Sequence, residues 1–188
     1  MSATNRGATR QEHDFYPTPE WAINLIMAEV RGYALTNWYS WLEPAAGDFR
    51  IYSRMPQRRE WAEIQKGRDY FAKPYPADIC LTNPPFALAL EFAQKALAEC
   101  KTVVFLQRLG WLGSDDRREF WQANPPTHLF PLSQRPSFTA ETVTARVVDL
   151  FDCEVEIGGK KGKDSADYAW YAWDRIGVFK RPPGIHVL

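Results

Sequence analysis

The sequence is poor in the residues that would cross-link it or load it with metal. Its three cysteines, Cys80, Cys100 and Cys153, are odd in number and share no paired spacing, which argues against a disulfide framework and a thiolate zinc site. The three histidines, His13, His128 and His186, are isolated from one another, so no metal centre is expected. No apolar run is long enough to span a bilayer, and membrane association is not expected. Residues 1–11 are polar, carry Arg6 and Arg10, and lack the apolar stretch of a secretory signal. They read as a flexible arm over 1–13, and the expected location is the cytoplasm. An excess of either charge is missing too, since Lys+Arg and Asp+Glu both total 23. Dedicated nucleic-acid binders carry a basic excess, so tight non-specific binding is not expected, although a local basic rim fits the balance.

What is abundant is aromatic ring and proline: 8 Trp, 8 Tyr, 11 Phe and 14 Pro among 188 residues. Most of those rings belong to a core. The length suits a single domain, assigned to 14–180, with 181–188 as an extended tail. Helices are expected over 21–30, 87–100 and 117–122. In the first, Ile23, Ile26, Met27 and Val30 repeat at helical spacing, with Thr18 as N-cap and Pro19 at the first helical position. Short apolar strands are expected over 38–42, 60–64, 78–82, 102–106, 127–132 and 168–173. Strands alternating with helices give an α/β class: a mostly parallel sheet with helices on both faces and a late antiparallel hairpin.

In such a sheet, ligands bind beyond the carboxyl ends of the strands. Three of those ends carry unusual residues: Glu43-Pro44-Ala45-Ala46-Gly47-Asp48, then Glu63, then Asn83-Pro84-Pro85-Phe86. Each has a bland reading, as a tight turn, a surface carboxylate and a helix-start device respectively. The third admits a sharper one. The lone pair of an amino group on a planar ring or amide is delocalised, so the nitrogen is a poor nucleophile. Two acceptors holding its hydrogens can draw it towards tetrahedral geometry. An asparagine oxygen and a backbone carbonyl stiffened by consecutive prolines supply those acceptors. Phe86 offers a stacking face for a base taken out of a duplex.

Together these motifs resemble, in their order, those of S-adenosylmethionine-dependent DNA N6-adenine methyltransferases, especially the small single-domain enzymes of phages and prophages. The resemblance runs over 14–175. It implies a Rossmann-like fold, S-adenosyl-L-methionine as cofactor, and double-stranded DNA as partner with the target adenine flipped out. By that resemblance Tyr16 and Thr18 face the methionine carboxylate, and Glu43, Pro44, Ala45 and Gly47 belong to the loop around the methionine portion. Glu63 accepts from the ribose hydroxyls, Asp69 accepts from the cofactor's adenine amino group, and Tyr70 lines its ring. Asn83, Pro84, Pro85 and Phe86 match the catalytic motif without departure. The segment 133–164 falls where the family varies and reads DNA. Arg135 and Phe138 would approach the flipped nucleotide, and Lys160, Lys161 and Arg117 are candidate phosphate contacts; for each of these an ordinary surface or packing role is an equal reading.

One departure stands out. The family's Gly-x-Gly loop reads Gly47-Asp48-Phe49 here. Phenylalanine does not cheaply adopt the positive φ that glycine permits, so either the loop bends differently or cofactor affinity is weakened. The short distance from Gly47 to Glu63 points to a trimmed first crossover. Asn-Pro-Pro-Phe also serves cytosine N4, RNA bases and protein glutamine, and a relative that binds without methyl transfer fits Phe49.

Overall fold

A computed structural model of the chain describes residues 16–138 and 166–188. Among these residues seven strands form one sheet in the order β2-β1-β3-β4-β6-β5-β7. The strands are β1 (Trp41–Glu43), β2 (Arg59–Trp61), β3 (Ala77–Thr82), β4 (Cys100–Arg108), β5 (His128–Pro131), β6 (Tyr168–Asp174) and β7 (Gly184–Ile185). Neighbours pair in parallel throughout except at β6, which runs antiparallel to both β4 and β5. The fold is therefore the α/β class expected, and its late antiparallel element is the β5–β6 pair.

Helices cover both faces, and side-chain parity sorts the core accordingly. On one face α1 (Glu20–Glu29) and α2 (Arg50–Arg54) pack Ala22, Ile23, Ile26, Ile51 and Met55 onto Trp41, Leu81, Val104, Leu106 and Trp170. On the other, α3 (Ala89–Glu99) and α4 (Arg118–Ala123) cover Leu42, Cys80, Val103, Phe105, Tyr171 and Trp173. The buried residues of α3 are Ala89, Phe92, Ala93, Ala96 and Leu97, one continuous stripe at helical period. Strand β4 lies between the two layers, so its run from Thr102 to Gln107 is buried on both sides, as a central strand requires. Trp170 is fully buried, and its indole N–H donates to the Ala22 carbonyl at 3.1 Å. That bond ties α1 to the middle of the sheet.

Several boundaries move. The first strand starts at Trp41 and not at 38: Trp38 is 85% exposed, and residues 36–39 turn under a Tyr39 N–H to Thr36 carbonyl bond. Ser40 then sets the register, its N–H and hydroxyl both donating to Asp78 Oδ2 at 2.9 Å. The second strand ends at Trp61, because Ile64 opens a 3-10 turn over Ile64–Lys66 capped by Glu63. The third helix starts at Ala89, behind a 3-10 turn over Phe86–Leu88 closed by Leu88 N–H on the Pro85 carbonyl at 3.0 Å. Thr18 does not cap α1. Pro19 holds that position, and as its side chain has no hydrogen-bonding atom the helix has no side-chain cap; the Thr18 hydroxyl instead accepts from Asn83. The tail supplies β7, with His186 N–H on the Leu129 carbonyl and Leu188 N–H on the Pro131 carbonyl. No described helix is long and apolar enough to cross a membrane.

Candidate active site

The chain leaves β1 towards β2 at one edge and leaves β3 towards β4 in the opposite direction. The sheet therefore changes direction between β1 and β3, and a crevice opens there beyond the carboxyl ends of the strands. Its walls come from the segment before α1 (Tyr16, Pro17, Thr18), the loop after β1 (Glu43 to Asp48), the turn after β2 (Glu63 to Gln65), Asp69 to Phe71, and Asn83 and Pro85 after β3. All nine residues assigned to the cofactor from sequence line this one cleft: Tyr16, Thr18, Glu43, Pro44, Ala45, Gly47, Glu63, Asp69 and Tyr70.

The loop after β1 keeps the tight form that a glycine pair would give. Gly47 has φ 49°, and Phe49 itself adopts φ 65°, ψ 15°. The left-handed conformation costs a non-glycine residue roughly 1–2 kcal/mol. Packing opposes that cost: the Phe49 ring meets Trp61 edge-on at 5.0 Å and Tyr52 at 5.7 Å, with the Lys66 ammonium 5.1 Å from its centroid. The Phe49 N–H also donates to the Ala46 carbonyl at 2.6 Å. The departure thus leaves the bend in place, and the first crossover is the five-residue α2.

Three carboxylates border this loop. Glu63 accepts from Gly47 N–H at 2.7 Å through one oxygen and from Gln65 N–H at 3.1 Å through the other. Asp48 pairs with Arg50 at 2.7 Å; its pKa is raised by loss of solvent, with Arg50 opposing. Glu43 is buried at 2% exposure and has one carboxyl oxygen without a partner. Burial pushes its pKa well above the usual carboxylate range, the Tyr52 N–H opposes this, and Asp48 and Glu63 push it further up. Asp69 accepts from the Phe71 N–H at 2.8 Å. Tyr70 is buried, with its hydroxyl unpaired and its ring 5.2 Å from Phe92.

Asn83 is the most informative residue. Its amide nitrogen donates to the Tyr16 carbonyl at 2.9 Å and to the Thr18 hydroxyl at 3.1 Å. Its amide oxygen is buried and has no partner. A backbone carbonyl can only accept, so the NH2 side must face Tyr16. The Pro85 carbonyl is taken by Leu88 N–H at 3.0 Å. Pro84 and Phe86 are not part of the cleft lining. Phe86 stacks on Tyr16 at 5.2 Å and 23°, the Arg108 guanidinium lies 4.9 Å from the Phe86 centroid, and Phe138 and Tyr168 complete the aromatic group.

The remaining candidates scatter. Phe138 is 7% exposed and sits in that aromatic group. Arg135 pairs with Asp167 at 2.9 Å, and Arg117 donates to the Trp111 carbonyl at 2.9 Å. Lys160, Lys161 and most of the 133–164 segment lie outside the described residues. The sequence assigned no site role to Arg50, Phe92 or the exposed apolar side chains Ile64, Phe71 and Leu88, all of which line the cleft. Ile64 read as the end of a strand and Leu88 as helix interior, so nothing local marked either as cleft wall. Arg108 had no signal beyond its place at a strand end.

No protein-family model matches the sequence, and no curated protein matches it significantly. Solved structures match by shape. A Pyrococcus horikoshii protein provisionally assigned as an RNA methyltransferase aligns over 92% of this chain and 92% of its own, with a TM-score of 0.57 at 14% identity. A Listeria monocytogenes protein provisionally assigned as a class I S-adenosylmethionine-dependent methyltransferase aligns over 91% of this chain and 65% of its own, so this chain spans less than two thirds of that one; the TM-score is 0.55 at 12% identity. The chain has the class I methyltransferase fold. At these identities the likeness is one of fold, and the chemistry rests on the cleft residues themselves.

Proposed function

We propose that the protein transfers a methyl group from S-adenosyl-L-methionine to the N6 amino group of adenine in DNA. The observation that carries this reading is Asn83: its amide is turned so that a buried, unpaired oxygen remains beside the cleft. An unpaired buried acceptor costs stability, about 1–3 kcal/mol, and such groups concentrate where a ligand supplies the missing donor. A planar amino group is that donor. With one hydrogen on Asn83 Oδ1 and the other on the Pro84 carbonyl, its nitrogen is drawn out of conjugation and its lone pair faces the cleft.

The cleft fits the cofactor in kind. Bound S-adenosylmethionine supplies a methyl group activated on sulfonium, which asks no strong base of the protein. Glu43 has a buried polar oxygen without a partner beside the cleft, Glu63 and Asp69 are acceptors for hydroxyl and amino groups, and Ile64, Phe71 and Leu88 offer apolar surface to a flat ring. The aromatic residue at the fourth position of Asn83-Pro84-Pro85-Phe86 leans the reading towards a nucleobase target over a protein amide.

The test is incubation with methyl-labelled cofactor and double-stranded DNA, followed by nucleoside analysis. N6-methyladenine is the expected product. N4-methylcytosine, or label taken up by RNA and not by DNA, would overturn the substrate assignment and keep the methyltransferase. No binding of S-adenosylmethionine or S-adenosylhomocysteine at millimolar concentration would overturn the enzyme.

A further inference from the structure

The resemblance to adenine methyltransferases places Thr18 on the cofactor's methionine carboxylate, but its hydroxyl lies 3.1 Å from Asn83 Nδ2. Thr18 is 4% exposed, so water does not readily take over that bond. The two acceptors of the Asn83 NH2 group, the Tyr16 carbonyl and the Thr18 hydroxyl, come from one short segment, Tyr16-Pro17-Thr18-Pro19. Its prolines restrict its backbone, and α1, anchored through Trp170, holds it in place. A half-turn of the amide about its Cβ–Cγ bond would set oxygen against the Tyr16 carbonyl, two acceptors face to face. Tyr16 therefore decides which way the amide points, and Thr18 decides how firmly it is held by pairing the second N–H.

We infer that Thr18 is a positioning residue for the amino-group acceptor: with the Tyr16 carbonyl it locks the Asn83 amide so that only its oxygen is available to a substrate. The kinetic part of this inference rests on the methyltransferase reading, and the geometric part does not. A cofactor ligand and a positioning residue respond differently to loss of the hydroxyl. Removing a ligand weakens cofactor binding. Removing a clamp leaves binding alone and lowers the rate of the step that needs a fixed oxygen.

The pair Thr18→Val and Thr18→Ser separates these. Three quantities would be measured: S-adenosylhomocysteine affinity by calorimetry, the single-turnover transfer rate on DNA, and hydrogen exchange of the Asn83 side-chain amide by 1H–15N NMR, with its signal identified by its loss in Asn83→Ala. For Thr18→Val the expected results are a rate lowered about 10- to 100-fold, the fold-change for an unpaired buried donor, and an affinity within about twofold of the parent. Its Asn83 amide exchanges faster. Thr18→Ser, which keeps the hydroxyl, returns both rate and exchange towards the parent. Weaker S-adenosylhomocysteine binding with unchanged Asn83 exchange would overturn the inference and return Thr18 to the cofactor. If the parent transfers no methyl group, the proposed function falls, and the exchange comparison still decides the role of Thr18.

Discussion

Two loops leave adjacent parallel strands at the same end of the sheet, and both are rigid for different reasons. The corner after β3 is stiffened by covalent structure, because Pro84 and Pro85 each lock φ and remove an N–H that could continue the ladder. No non-glycine residue there has a positive φ. The loop after β1 passes instead through two left-handed residues, Gly47 and Phe49, and holds its bend by contacts from outside: Trp61 and Tyr52 on the Phe49 ring, and Glu63 on the Gly47 N–H. The first kind of rigidity is visible in a string of letters. The second appears once the chain has folded, and it shows how a phenylalanine can stand where a glycine is the easier residue.

Substitutions can break the comparison at each loop. The largest effect is expected at Asn83→Ala, which removes the free acceptor: transfer should fall at least about 100-fold, in line with deletion of a single preorganised polar group. The thermal midpoint and S-adenosylhomocysteine affinity should stay near the parent's. Full activity would remove the proposed chemistry. Next comes Phe49→Ala, which keeps the strained conformation and loses the ring contacts, at a cost of about 2 kcal/mol by chemical denaturation. Phe49→Gly should be less damaging by about 1 kcal/mol, since it loses the same contacts and relieves the strain. Equal losses in the two variants would mean that the backbone conformation carries no strain. Pro84→Ala tests the covalent side, with an expected stability loss of about 0.4–1 kcal/mol from the freer unfolded chain.

One further effect depends on pH. Burial raises the Glu43 carboxyl above its ordinary range in the folded state, so the folded protein holds a proton that the unfolded chain releases. Its contribution to stability is full below the ordinary carboxylate pKa, about 4.3, and is lost as pH rises through the raised folded value. Glu43→Gln removes the titration. Thermal midpoints of the two proteins should therefore diverge with rising pH, the variant being relatively more stable at pH 8 than at pH 4. A constant difference across that range would show that Glu43 is not raised.

Much of the cleft was legible because the motifs carrying it are local and chemically expensive to keep by chance. A strand, an Asn-Pro-Pro break and a helix specify a corner at a strand end, and the order of Glu43, Glu63 and Asp69 follows the order of the loops. What was not legible depends on partners far along the chain. Thr18 and Pro19 form a sound local helix start, yet the Thr18 hydroxyl goes to Asn83, separated from it by 65 positions. Ile64 continues an apolar run, yet it turns out of the sheet and is 65% exposed.

By itself, the sequence determined the α/β class, the parity of the central strands and the asparagine corner, because hydrophobic period and proline geometry act over a few residues. Tertiary structure alone decided which way the Asn83 amide faces, how Phe49 holds a left-handed turn, and why Glu43 favours its proton. Each depends on what a distant segment places within a few ångströms, where hydrogen-bond direction, ring packing and loss of solvent act.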